Sequence, residues 1–171
     1  MATIPQFFSG PMTIIEYEHD KTHEGRFFSG GYYNSSLANA ANQDFLVTTS
    51  ANNTFHAQFL VAISGDCTMQ IFEGPTTSGG TSVSMSNHNR SSSKACDLTV
   101  VHTPTVTGTG TQINGTIFLP GGDKHTGGGG HFGFANEFML AKSNSYLLRV
   151  TNVSGAAIKI SVGLFGYQPN L

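Results

Sequence analysis

The side chains of this chain best suited to chemistry are its seven histidines: His19, His23, His56, His88, His102, His125 and His131. A zinc site declares itself by ligands at short fixed spacings, as in His-Glu-x-x-His. His19 and His23 flank Asp20-Lys21-Thr22, and His125 and His131 flank a glycine run, so neither pair carries a metal motif. The ten carboxylates are scattered. Asp20 with Glu24, or Glu16 with Glu18, could be nominated, and nothing marks them as the facing acids of a glycosidase. The serines of "FFSGG" and "AISGD" sit in turn-like contexts and lack the Gly-x-Ser-x-Gly elbow. Cys67 and Cys96 form no Cys-x-x-Cys; they could pair, but the reading preferred is two buried thiols on strands. The glycine run "GGDKHTGGGGHFG" lacks the Lys-Ser/Thr of a phosphate loop and reads as a flexible loop that orders against a partner. The expectation from these residues is a protein that is not an enzyme and holds no cofactor or metal.

The rest of the chain must then supply a surface. Only 11% of its 171 residues are charged, against about 25% in ordinary soluble domains. The polar surface is therefore built from Ser, Thr, Asn and Gly, a composition that suits strands and tight turns better than helices. A net charge of -2 with no Lys/Arg run excludes nucleic-acid binding by a basic face. No stretch approaches the ~20 apolar residues of a membrane helix. The first residues lack the basic start and apolar core of a signal peptide, so synthesis in a cytoplasm is expected and a membrane partner is not.

The elements are read from period two. Phe55, Ala57, Phe59, Val61 and Ile63 fall on one strand face. After Ser64-Gly65-Asp66, Cys67, Met69 and Ile71 alternate again, which reads as a hairpin. Tyr146, Leu148 and Val150, a turn over 152–155, then Ile158, Ile160, Val162 and Leu164 read as a second hairpin. Weaker strands are expected over 13–19, 44–49, 97–105, 112–119 and 137–140, and one short helical turn over 35–43. Such a series predicts an all-β fold, specifically a jelly-roll-like β-sandwich with long loops. The chain divides into an N-terminal arm, residues 1–12, and a single sandwich domain, 13–171.

Two polar stretches, 76–93 and 121–130, read as loops. The aromatic doublets Phe7-Phe8 and Tyr32-Tyr33 put one ring on each face of an extended chain, so one ring of each pair needs a cover beyond the core.

Four strings in order carry a resemblance: "EHDKTHEGRFFSGGYYN" from Glu18, "IFEGPTTSGGTSVSMSNHNRSSSK" from Ile71, "VHTPTVTGTGTQINGTIFLPGG" from Val101 and "NEFMLAKSNSYLLRVTNVSGAAIKISVGLFGY" from Asn136. Together they span residues 18–167 and resemble a family of small structural proteins of tailed bacteriophages. The resemblance implies a virion component, specifically a capsid decoration (cement) protein. Such a protein sits on the outer shell and braces neighbouring capsomers, with the phage major capsid protein and further copies of itself, as a dimer or trimer, for partners. Residues 1–12 and the ending "FGYQPNL" depart from the family pattern and are candidate contact arms. On this reading the candidate capsid or subunit contacts are Phe7, Phe8, Tyr32, Tyr33, His88, Arg90, His125 and His131. A receptor- or carbohydrate-binding module of a tail or head fibre, using Tyr32 and Tyr33, is the alternative. A cupin-like enzyme ranks last, because no cluster of His and Glu ligands is readable.

Overall fold

The computed structural model describes residues 17–121, 131–133 and 137–169. The arm with Phe7 and Phe8, and the glycine run with His125, lie outside the described residues. The chain order is helix α1 (Tyr17–His23), then β1 (Phe27–Leu37), β2 (Asn42–Thr48), β3 (Phe55–Ile63), β4 (Cys67–Glu73), β5 (Thr76–Ser78), β6 (Thr81–Ser82), β7 (Ser86–Asn87), β8 (Thr99–His102), β9 (Thr105–Gly108), β10 (Thr111–Gln112), β11 (Ile117–Leu119), β12 (His131–Gly133), β13 (Phe138–Leu140), β14 (Ser145–Asn152) and β15 (Ile158–Tyr167).

The strands form two antiparallel sheets and a small ribbon. The first sheet runs β12-β3-β15-β1-β7, with β13 also on β3. The second runs β10-β4-β14-β2-β8-β6, with β11 also on β4. The ribbon is β5-β9. The core lies between the sheets. Phe59, Val61, Leu164 and Val162 of the first face Met69, Ile71, Leu148 and Val150 of the second, all at 2% exposure or less. The alternation read for β3 holds in full, since its odd residues are buried and its even residues are not. Truncating a ring such as Phe59 in this layer would cost about 3–5 kcal/mol.

Both expected hairpins are corrected. β3 and β4 do not pair with each other, and neither do β14 and β15. Each pair crosses from one sheet to the other as an arch, and the arches stack: β3 pairs β15 while β4 pairs β14. β1 and β2 make a third arch on the other side, with β1 on β15 and β2 on β14. Alternation reports that one face of a strand is buried but not which sheet the strand joins. The arch bends are bonded to one another instead. Ser64 N–H donates to Lys159 O at 3.0 Å and Val153 N–H to Asp66 O at 2.9 Å. The fully buried Asn152 donates to Leu37 O at 2.9 Å and Ala156 O at 2.7 Å, tying the β14–β15 bend to the β1–β2 bend.

Smaller readings change too. Of the strand expected over 13–19, the described part is helix. Glu18 and Asp20 in the first turn and Lys21 and His23 in the last complement the helix dipole. Lys21 is buried, bonds Glu24 at 2.7 Å and sits over the Tyr17 ring. The helical turn expected over 35–43 is instead the end of β1, a turn and the start of β2. The strand expected over 97–105 breaks at Thr103, whose φ is 53°, and Pro104. The strand expected over 112–119 breaks between β10 and β11, where Asn114 Oδ1 accepts the Ile71 N–H at 2.6 Å in place of a ladder bond. Cys67 is buried on β4, but Cys96 is half-buried in an irregular segment, and the two thiols are free.

Candidate functional site

The stretch 74–94 is not a plain loop. β6 pairs with β8 at the edge of the second sheet, and β7 pairs with β1 at the edge of the first. The segment thus straps one open side of the sandwich. Val83 and Met85 turn inward onto the core, while Ser82, Ser84, Ser86 and His88 point out. Gly30 makes this close approach feasible: a Cβ there would lie 2.6 Å from Met85 Sδ and 2.7 Å from Ser84 O. The strap is then fastened by asparagines. Asn87 donates to Gly25 O at 2.8 Å and Lys94 O at 3.0 Å, and Asn89 donates to His23 O at 2.9 Å. Lys94 Nζ bonds Glu24 O at 2.8 Å. His88 packs on the Phe27 ring and shares a 2.8 Å hydrogen bond with Ser29 Oγ. Arg90 is exposed, with one long 3.3 Å bond to Asn87 O. The result is a fixed, hydroxyl-rich strip whose exposed residues from Thr76 to Arg90 carry a single charge, that of Arg90.

The sequence-predicted contacts divide between faces. Tyr32 turns inward and stacks on His102, with centroids 3.6 Å apart. Burial lowers the pKa of that imidazole. Tyr33 points out and is 55% exposed. His131 lies in β12. The structure therefore places His88 and Arg90 on the strap and Tyr33 on the outer face of the first sheet, and it does not bring Tyr32 to either.

That outer face holds what the sequence reading missed. Its cross-strand rows are Phe27-Tyr167-His56, Ser29-Phe165-Gln58, Gly31-Gly163-Leu60 and Tyr33-Ser161-Ala62. In the first row His56 Nδ1 lies 2.7 Å from Glu137 Oε1, and the Tyr167 hydroxyl donates to that carboxylate at 3.1 Å. Burial, then the Glu137 charge, raises the Tyr167 pKa. A histidine–carboxylate pair has the makings of a general base. Here the imidazole also lies flat against the Tyr167 ring, so the trio clamps β3, β15 and the residue that leads into β13. The next rows open into an apolar trough of about 460 Å3, floored by Gly31 and Gly163 and walled by Tyr33, Leu60 and Phe165.

No family model, curated protein or solved structure matches this chain.

His19 and His23 are one helical turn apart, with ring nitrogens at 2.9 Å. Among the described residues, no group of three or more His, Cys, Asp or Glu side chains gathers to hold a metal. The signals for the missed face were present. In "GGYY" period two puts Gly31 and Tyr33 together, and in "VGLFGY" it puts Gly163, Phe165 and Tyr167 together, opposite the Val/Leu face.

Proposed function

We propose that this protein is a virion component of a tailed bacteriophage, a jelly-roll capsid decoration protein that binds the outer shell and stabilises contacts between capsomers. The jelly-roll assignment is supported by strand order. With β12 and β13 counted as one strand, and β10 with β11 as another, both sheets carry their arches in matching sequence, β3-β15-β1 against β4-β14-β2. The shell-binding role is carried by the strap. A contact surface already fastened at both sheet edges loses little conformational freedom on docking. One that presents hydroxyls and a single Arg90 desolvates almost no charge. Arg90 supplies a guanidinium for a carboxylate on the shell. The phage family resemblance over residues 18–167 gives the partner its identity, the major capsid protein, and self-association as a dimer or trimer matches the symmetry axes of a shell.

The test is co-sedimentation of the purified protein with shells of the parent phage that lack it. Ser84→Glu with Ser86→Glu should abolish binding and leave the thermal melt unchanged. Binding by this variant as tight as that of the wild type would remove the strap from the interface. Glycan binding by the isolated protein, with no affinity for shells, would replace the proposal with a fibre receptor-binding module.

A further inference from the structure

Helix α1 carries two histidines that neither the strap nor the outer sheet face uses. His19 and His23 stand four residues apart, the spacing with which two helical histidines hold a metal in His-Glu-x-x-His. This chain has Asp20 where that motif has glutamate. The spacing matters only on a helix, where residues i and i+4 are neighbours. Lys21 is buried and sits over the Tyr17 ring. His19 and His23 lie two residues either side of Lys21, about 200° around the helix, and both are exposed.

The two rings have the geometry of a chelate. Their Nε2 atoms are 2.9 Å apart. Two nitrogens held at about 2.0–2.1 Å from one ion, at roughly a right angle, are separated by this distance. The ring centroids are 4.5 Å apart, with planes at 75°. A straight N–H···N bond would hold the centroids at about 5 Å, so the rings are bent about the contact rather than in line. The backbone beneath them is already fixed. His23 O accepts a 2.9 Å hydrogen bond from Asn89, the Arg26 N–H donates to Lys21 O at 2.8 Å, and Tyr17 packs edge-on against Tyr167. Little freedom is left to lose on binding. The acids of this segment are engaged elsewhere: Lys21 Nζ bonds Glu24 at 2.7 Å and Asp20 at 3.4 Å, and Gln58 bonds Glu18 at 2.9 Å.

We infer that His19 and His23 form a binding site for one divalent transition-metal ion, with both Nε2 atoms as ligands and water in the remaining positions. Two imidazoles at a right-angle bite suit the cis positions of tetragonal Cu2+ or octahedral Ni2+ better than tetrahedral Zn2+. The site does not depend on shell binding and is tested without any capsid.

The probe is Cu2+, titrated into the untagged full chain and followed by calorimetry and electron paramagnetic resonance. The wild type is compared with His19→Gln, His23→Gln, the two together, and His125→Gln with His131→Gln. Circular dichroism checks that each is folded. The expected result is one bound equivalent whose spectrum shows two nitrogen ligands. Each single variant should weaken binding by more than about tenfold, since even outer-shell partners of metal ligands are worth that much. The His19/His23 double variant should lose the equivalent, and the His125/His131 variant should keep it. An equivalent that survives in the first double variant, or disappears in the second, would overturn the inference. Single variants that bind as tightly as the wild type would overturn it too, because one exposed imidazole would then suffice.

Discussion

The ring of Tyr32 lies flat on the imidazole of His102, with centroids 3.6 Å and planes 9° apart. One residue belongs to β1 of the first sheet and the other to β8 of the second, so the stack closes one side of the sandwich below the strap. Burial holds the His102 pKa below its ordinary 6.5. Between that lowered value and 6.5 the unfolded chain binds more protons than the folded one. Stability therefore rises with pH across this window and is lost as pH falls below 6.5. His102→Phe keeps an aromatic partner for Tyr32 and removes the proton. Urea melts at a series of pH values should show a shallower acid slope for this variant than for the wild type.

Arg149 and Asp44 form a bidentate pair on the outer face of the second sheet, with both N–O distances at 2.7 Å. The bond to Asp44 is the largest cause of the raised Arg149 pKa. Asp44→Ala leaves a mostly buried guanidinium without its counter-charge, which should destabilise the fold by roughly 2–3 kcal/mol, less than for a fully buried pair because both groups keep some solvent. Arg149→Met with Asp44→Leu should recover most of that loss. Chemical denaturation of the two variants measures the difference.

Gly30 lets the strap sit down on β1. Gly30→Ala pushes a methyl into Met85 Sδ and Ser84 O. The sulfur can swing aside but the backbone oxygen must move with its strand, at about 1–3 kcal/mol. The strap should loosen before the core does. Limited trypsin digestion should then cut faster at Arg90 and Lys94 while the melting temperature falls only modestly.

Burial pushes both thiols up to about 11. At pH 8 neither is a nucleophile in the folded protein. A thiol reagent should label both cysteines slowly in buffer and rapidly in denaturant. Fast labelling of Cys96 in buffer would mean that the irregular segment around it opens readily.

Strand existence was legible wherever alternation was long, as in β3, β14 and β15, because one buried face imposes a strict period of two. Strand partners were not. The turn at Ser64-Gly65-Asp66 and the one after Asn152 serve an arch as well as a hairpin, and what separates the two is bonding between bends far apart in sequence. The strap was read as a loop because Ser, Thr and Gly carry no alternating hydrophobicity. Val83 and Met85 were its only inward signal, and they are two residues apart, as a strand requires. The aromatic pair Tyr32-Tyr33 does not reveal the trough, because its floor is made by the glycines Gly31 and Gly163 on Tyr33's face. The strand expected over 13–19 overlaps the first three residues of helix α1. The helix's dipole-matched charges were the better guide.

The central claim is that this protein decorates a phage shell. Quantitative mass spectrometry of purified virions of the parent phage tests it most directly. The account predicts a copy number comparable with that of the major shell protein. A few copies per particle would contradict it in favour of a tail or fibre module, and absence from the particle would end the virion reading altogether.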